Sequence, residues 1–362
     1  MNKSLILAVW AILLLSIYSV AGWTISRSLA ETRDTAAARH AARLDPTRAE
    51  PGKTPPDPLP ESGPFATVSI GTYIDRIVNL SIRESSWDVD FYVWFRWTGD
   101  PKLDPGGSFQ VIDGEIASRT MLDDVHDPDG TNYQRCRVTA HITKFFDIGR
   151  FPLEDHMLNL YIEDGSRDGM ALRYAVDAGA TSVSSRVKVP GYTLTGFRDA
   201  VKNHTYKSRH GDPRLPADMK RIVSQYVLGI NLNRPGYDLF LKISLALFAA
   251  ISLAFCVLFI KPSDVDPRFG LAAGAFFGAV ANIYLANSMV PDSGGLGLVD
   301  FVNGIGLGTI FLIVAESVIS LAIFGKWDDP DLSRALDRLT AAIMIPAYII
   351  VNIVITRAAF LA

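Results

Sequence analysis

Cysteine is nearly absent from this chain: its 362 residues include two, Cys136 and Cys256. Cys256 falls inside an apolar run, so the pair offers no disulfide framework. No CxxC or HExxH pattern occurs, which removes the common structural and catalytic metal signatures. An excess of positive charge is also lacking. The formal net charge is -3 and no dense Lys/Arg run with interleaved aromatics is present, so nothing recommends nucleic acid as a partner. A nucleophile–base–orienter set is missing too, since the serines sit beside no recognisable elbow and the acidic turns lack a partner base. The chain is therefore not expected to be an enzyme; a membrane-anchored periplasmic enzyme using a carboxylate pair is the alternative left open on this side.

What is present is apolar. Hydrophobic residues make up 49% of the chain and the mean hydropathy is +0.19, between a soluble enzyme and a pure membrane bundle. That average hides two unlike halves.

Lys3 precedes an apolar stretch from Leu5 to Trp23 that ends in the small residues Ser19-Val20-Ala21-Gly22. Residues 1–23 read either as a signal peptide or as an N-terminal membrane anchor. Residues 24–64 read as a Pro/Ala-rich linker, an extended tether with no core of its own. From Phe65 to Arg234 the signals are those of strands. Val68/Ile70, Leu80/Ile82, Val138/Ala140/Ile142, Leu158/Leu160/Ile162 and Leu228/Ile230/Leu232 alternate with polar neighbours, separated by turn clusters such as Asp127-Pro-Asp-Gly130. Residues 65–234 are therefore expected to form an antiparallel β-sandwich.

Beyond Arg234 the expected solvent changes. Four apolar stretches, Ile243 to Ile260, Phe269 to Val290, Leu296 to Phe324 and Leu339 to Phe360, are each close to the ~20 residues a helix needs to cross hydrocarbon. Residues 235–362 are expected to form a four-helix transmembrane bundle. The connections Lys261 to Arg268 and Lys326 to Arg338 carry Lys and Arg, whereas Pro291 to Leu298 carries neither. The positive-inside rule then places the β domain and the C-terminus on the outer face. The fold class is a β + α membrane protein, an extracellular sandwich followed by a helical bundle.

Polar groups inside spanning helices are costly, so Asn282, Asn287, Asp300, Asn303, Glu316 and Asn352 require protein or water neighbours. Asp266-Pro267-Arg268 opens the second spanning stretch. Asp266 reads either as a helix cap, with Pro267 at the first position, or as one member of a ring of carboxylates around a shared axis. Gly270, Gly274 and Gly278 form a small-residue ridge on the same helix, which either packs against a neighbour or lines a pore.

The stretch FPLED, Phe151 to Asp155, ends one strand and begins another. With His156 it resembles the Phe-Pro-Phe-Asp-x-Gln turn of the pentameric ligand-gated ion channels, the Cys-loop receptor superfamily in its bacterial form. Phe91-Tyr-Val-Trp-Phe-Arg-Trp97, with Asp100 and Leu103, is similar to that family's second strand and its Trp-x-Asp-x-x-Leu motif. Leu232-Asn-Arg234-Pro-Gly-Tyr237 resembles the segment before its first spanning helix. Pro291, Val299-Asp300-Phe301 and Glu316-Ser-Val318 match motifs after and within the helices that follow. The order and spacing of these motifs, from about Val68 to Phe360, carry the resemblance.

The resemblance implies that Glu84, Pro152, Glu154 and Arg234 couple the outer domain to the helices. It implies that Asp266, Gly270, Gly274, Phe277, Ala281, Tyr284 and Ser288 line a pore, with Asp266 favouring cations and Phe277 acting as a hydrophobic gate. It also implies ligand binding between subunits, with Tyr92 and Trp94 on one side and Glu163, Asp164, Arg167, Tyr206 and the loop Lys207 to Pro216 on the other. The glycines at 270 and 274 and the bulk of Phe277 depart from the family pattern and motivate an alternative, a pentameric receptor that does not conduct.

Two further ligand readings come from the residues themselves. Asp123, Asp124, Asp127, Asp129 and Asn132 are candidate calcium ligands, although the run lacks the twelve-residue loop and its closing Glu, so a solvated acidic turn competes. His126, His141, His156, His204 and His210 make protons a candidate. Apart from calcium modulation no cofactor is expected. The expected assembly is a homopentamer in the bacterial inner membrane, multi-pass, responding to a small-molecule or ionic ligand.

Overall fold

A computed structural model describes residues 3–50, 54–213, 215–216, 218–234, 238–289 and 295–360. Pro235, Gly236, Tyr237 and Pro291, four of the residues in the motifs above, lie outside the described residues. The chain forms two compact units. One comprises Met1–Asp34, Asp147–Glu154 and Gly236–Ala362; the other comprises Thr35–Phe146 and Asp155–Pro235.

The first element, α1, runs unbroken over Lys3–Leu44. The expectation of an extended tether from residue 24 is corrected here, because 24–44 is helical. Every proline of the supposed linker lies at or beyond Pro46, while 24–44 contains neither proline nor glycine and is dominated by the strong helix formers Ala, Arg and Leu. Asp45-Pro46 then ends the helix, and Asp45 Oδ1 accepts the backbone N–H of Thr47 at 2.9 Å.

The second unit holds two sheets. Strands β1 (Ala66–Ser81), β2 (Ser86–Thr98), β4 (Gly114–His126), β5 (Thr131–Thr143) and β7 (Leu172–Val176) lie in the order β4-β5-β2-β1-β7, with β8 (Ser182–Val183) also on β1. Strands β3 (Phe109–Ile112), β6 (Asp155–Asp164), β9 (Thr193–Thr205) and β10 (Ile222–Asn233) form the other sheet, in the order β3-β6-β10-β9. The alternation seen in the sequence is the inside–outside alternation of the pleat: Val138, Ala140 and Ile142 are buried, and so are Leu158, Leu160 and Ile162. Phe95 of β2 lies 5.4 Å from Phe109 of β3, and the Thr72 and Tyr226 hydroxyls are hydrogen-bonded at 2.9 Å, so the two inner faces share one core. The sandwich is not wholly antiparallel as expected, since β7 and β8 each pair with β1 in parallel. No periodicity in a five- or two-residue strand announces its partner's direction.

The helical unit contains α2 (Asp238–Cys256), α3 (Val265–Met289), α4 (Leu298–Lys326) and α5 (Pro330–Ala359) together with the first part of α1. Five helices among the described residues are long and apolar enough to cross a membrane, so the four-helix expectation is corrected to five. The fifth is α1, which packs as a member of the bundle. Trp10 Nε1 donates to Thr340 Oγ1 at 2.9 Å, the Tyr18 and Thr309 hydroxyls are 2.7 Å apart, and Gly22 lies against Val351. Polar pairs of this kind satisfy groups that hydrocarbon cannot.

Candidate functional site

Helix α3 has two unlike sides. Asp266, Gly270, Gly274, Phe277, Ala281, Tyr284 and Ser288 are all exposed on the single chain, with Tyr284 at 83% and Phe277 at 69%. Positions Gly270 and Gly274 face open space, while Gly278 lies against Ala250 of α2, so of the three it is Gly278 that packs on a neighbouring helix. The exposed faces of the neighbouring helices are different in kind: Leu241, Leu245 and Leu253 on α2, and Ile349, Ile350, Ile353 and Val354 on α5. Those surfaces suit lipid. The α3 stripe is largely small or polar with Phe277 as its one bulky apolar residue, and it runs beside the exposed apolar residues Val280, Leu285 and Met289 of the same helix. Because α3 starts at Val265, Asp266 occupies the first turn and not the cap. Its carboxylate makes no hydrogen bond or ion pair among the described residues.

The opposite side of α3 is buried through Ala272, Ala275, Ala279, Asn282 and Ala286. Asn282 Nδ2 donates to Asn303 Oδ1 of α4 at 3.0 Å, which gives two of the intramembrane amides each other as partners. Below them lies a group that sequence reasoning missed. Arg268 is fully buried; its Nη2 donates to Glu316 Oε2 at 3.0 Å and to Asp337 Oδ1 at 2.7 Å, and its Nε donates to Ser317 Oγ at 3.1 Å. One guanidinium thus ties α3, α4 and α5 together against two carboxylates. Glu316 was recognisable as an intramembrane acid in need of a neighbour, but its partner 48 residues away was not.

The FPLED turn is built into the helical unit. Residues Asp147–Glu154 leave the sheets between β5 and β6 and belong to the same compact unit as α2 to α5. Gly149 O accepts the backbone N–H of Leu298 at 2.9 Å, Arg150 Nη1 donates to Ala359 O at 3.2 Å, and Leu153 is buried in the helical core. The Phe151–Pro152 peptide bond is cis. Glu154 is fully buried. Glu84 and Arg234 belong to the sheet unit, where Glu84 is exposed in the β1–β2 turn and Arg234 lies over the Tyr192 ring and donates to its hydroxyl at 2.6 Å. The four expected coupling residues are thus divided between the two units, and Tyr192 is an Arg234 partner that the sequence did not suggest. No family model and no curated protein matches this chain.

The residues expected at a ligand site fall into two groups within the sheet unit. Tyr92 and Trp94 of β2 line a cavity of about 650 Å³ with Tyr73, Tyr133, Arg96 and Arg135. Trp94 can lie flat there because its cross-strand partner is Gly71: a Cβ at that position would stand 2.5 Å from Trp94 Cζ2. Trp94 Nε1 donates to Asp177 Oδ2 at 2.8 Å, and Arg96 pairs with the other oxygen of the same carboxylate.

Glu163, at the end of β6, is buried and accepts from the Tyr206 hydroxyl at 2.7 Å and from Gln225 Nε2 at 2.6 Å, with His204 Nδ1 at 2.5 Å. Burial first, and then the Glu163 carboxylate, push the Tyr206 phenol well above its ordinary range. The His210 ring lies 4.3 Å from the same tyrosine ring, tilted by 40°. Asp164 does something else: it accepts from the backbone N–H groups of Ser166 and Arg167 at 2.9 and 2.7 Å, and from Arg167 Nη1 at 3.3 Å, so Asp164 and Arg167 staple the loop after β6. His204 and Gln225 were missed as partners of Glu163, because they lie 41 and 62 residues away on two other strands.

The candidate calcium ligands lie on the β4–β5 hairpin. Asp123 pairs with Arg135 at 2.7 Å, Asp124 with Gln134 at 3.1 Å, and Asp129 Oδ1 accepts the Thr131 N–H at 2.8 Å. The Asn132 amide donates to the carbonyls of Gly99 and Gly130 at 3.2 and 3.0 Å. Among the described residues no group of three or more His, Cys, Asp or Glu converges as a metal site would. Of the histidines, His141 meets Asp88 and His126 meets Asn132, whereas His156 is buried between Phe146 and Tyr192. Burial, reinforced by Lys144, pushes His156 down to about 3.

Proposed function

We propose that this chain is a subunit of a homopentameric ligand-gated ion channel of a bacterial inner membrane, selective for cations. In this reading five copies of α3 surround a water-filled axis, with Asp266 at the cytoplasmic mouth focusing cations and Phe277 at the middle as a hydrophobic gate. The sheet unit faces the periplasm and responds to a small molecule, to protons or to divalent cations. The observation that carries the reading is the uncovered stripe of α3, whose small and polar character differs from the lipid-suited faces of α2 and α5. The anchoring of Gly149 and Arg150 to α4 and α5 supports a role for the FPLED turn in transmitting motion, because a displacement of this loop acts directly on two helix ends. The sidedness rests on the basic connections, and it is supported by the pairing of Lys3 with Asp329, which puts the start of α1 beside the α4–α5 connection.

A second reading keeps the pentamer and the sensing domain but not conduction. It is favoured by Phe277, a large apolar side chain exposed on the stripe that would line the lumen. Purified protein reconstituted in planar bilayers, with its mass in detergent measured in parallel, separates the two. Discrete cation currents from a pentamer support the channel. A pentamer that stays silent across pH and calcium concentration favours the receptor, and a monomer removes both.

A further inference from the structure

The sheet unit contains a second, larger cleft of about 1150 Å³, lined by the C-terminal turns of α1, the connection that follows it, and strands β6, β9 and β10. Its chemistry is one-sided. Seven Lys or Arg side chains line it against three Asp or Glu, a surplus of four positive charges in a concave space. Such a surplus raises the local concentration of anions and repels cations.

The acidic residues do not neutralise it. Arg43 Nε pairs with Glu50 at 3.2 Å and Lys220 with Asp57 at 3.1 Å, which uses two of the three. Lys202 Nζ donates to the carbonyls of Ala42 and Arg48 at 2.6 and 3.1 Å, holding the end of α1 and the next segment over β9. Arg39 precedes Arg43 by one helical turn and so shares its face.

Lys144, just after β5, is the focus. Among the described residues its ammonium meets no carboxylate and no hydrogen-bond acceptor; its nearest marked contact is the Phe146 ring, 5.6 Å away. Burial, and then the charges of Arg43 and Arg39, push it down to about 7, with Glu50 acting in the opposite sense. A half-buried cation beside like charges and without a paired carboxylate is stabilised when an anion joins it. A second feature bears on the ligand's hydroxyl groups. Asn159 of β6 also lines the cleft, is 5% exposed, and its side-chain oxygen has no partner. A buried amide oxygen without a donor at the wall of a cavity can accept the proton of a hydroxyl on a ligand.

We infer that this cleft binds a small multivalent anion, a hydroxylated polycarboxylate or hydrogen phosphate, held by Lys144, Arg39 and Arg43, with the Asn159 oxygen accepting from the ligand's hydroxyl. The site is separate from the Tyr92/Trp94 cavity, and the inference stands whether or not the assembly conducts.

Calorimetric titration of the full-length protein in uncharged detergent, at constant ionic strength, tests it with sodium citrate and inorganic phosphate as probes and acetate as the monovalent control. Citrate is expected to bind saturably and more tightly than acetate. Lys144→Gln and, separately, Arg39→Gln should weaken citrate by about tenfold or more, the scale of one charge-assisted contact, while Lys144→Arg should stay within about threefold of the parent. Absence of saturable citrate and phosphate binding to protein with unchanged circular dichroism would overturn the inference. So would equal citrate affinity in the parent and both charge-removing variants. Should Lys144→Gln fail to fold, Arg39→Gln alone decides, because that side chain is half-buried on a helix face.

Discussion

The backbone N–H of Leu298 donates to the carbonyl of Gly149 at 2.9 Å, so the first turn of α4 takes one of its hydrogen-bond acceptors from the loop that carries Pro152. The leading N–H groups of a helix have no partner within the helix, and here a distant loop supplies one. The approach is close: a Cβ on Gly297 would stand 3.0 Å from the same Gly149 oxygen.

Gly297→Ala is therefore expected to push the loop away from the helix and to lower stability by about 1 kcal/mol. A thermal shift of the purified protein measures the first effect. In bilayers the same variant should change the probability of opening without changing the size of single currents, and an unaltered gating curve would remove this contact from the coupling route.

Arg268→Met should be far more harmful. It strands Glu316 and Asp337, both buried, and a broken buried ion pair costs roughly 3–5 kcal/mol. The triple variant Arg268→Met, Glu316→Gln, Asp337→Asn should recover most of the loss. The readout is the midpoint of thermal unfolding in detergent, and a triple variant no more stable than the single one contradicts the ion-pair account.

In the channel reading Asp266 is expected to matter for selectivity and not for folding, because its exposed carboxylate makes no hydrogen bond or ion pair among the described residues. Asp266→Ala should leave the yield and the melting midpoint unchanged and should move the reversal potential in a salt gradient toward that of a non-selective pore. A reversal potential identical to the parent's sinks the assignment.

His156 makes stability depend on pH. Its folded pKa is about 3, well below the unfolded value, so between about 6.5 and about 3 the unfolded chain binds the extra proton. Stability is full above that window and falls as the pH drops through it, by on the order of 1 kcal/mol per pH unit for this one group. His156→Gln, which places at this position the residue of the family turn that Phe151 to His156 resembles, should flatten the acid side of a melting-temperature profile between pH 6.5 and 4.

Gly71→Ala should damage the aromatic cavity from behind. The added methyl would meet the Trp94 ring at 2.5 Å, which requires the indole to move and weakens its bond to Asp177. Overpacking of this kind costs about 1–3 kcal/mol. Tryptophan fluorescence and the unfolding midpoint report the two consequences together.

How much of this was legible in the sequence depended on distance along the chain. Alternation in β5, β6 and β10 and the long apolar runs of α2 to α5 were readable because pleat and helix periods are local. The helical half of α1 beyond residue 23 was misread for a local reason: Ala, Arg and Thr without apolar spacing look like a tether when prolines follow soon after. The parallel partners of β1 and the carboxylates around Arg268 were out of reach for another. Their pairing is decided by tertiary packing across tens of residues, as it is for Glu163 with His204 and Gln225. The stripe of α3 lies between these cases, since its positions were countable from a resemblance while the contrast with its neighbours needed the packed bundle.

Arg268 also imposes an order on how the protein is made. It precedes Glu316 by 48 residues and Asp337 by 69, so the ribosome delivers the guanidinium long before either counter-ion exists. Until then α3 carries a charge that hydrocarbon rejects, and that end of the helix has reason to wait near water or inside the insertion machinery. Glu316 supplies the first counter-ion with α4, and Asp337 completes the set only when α5 follows.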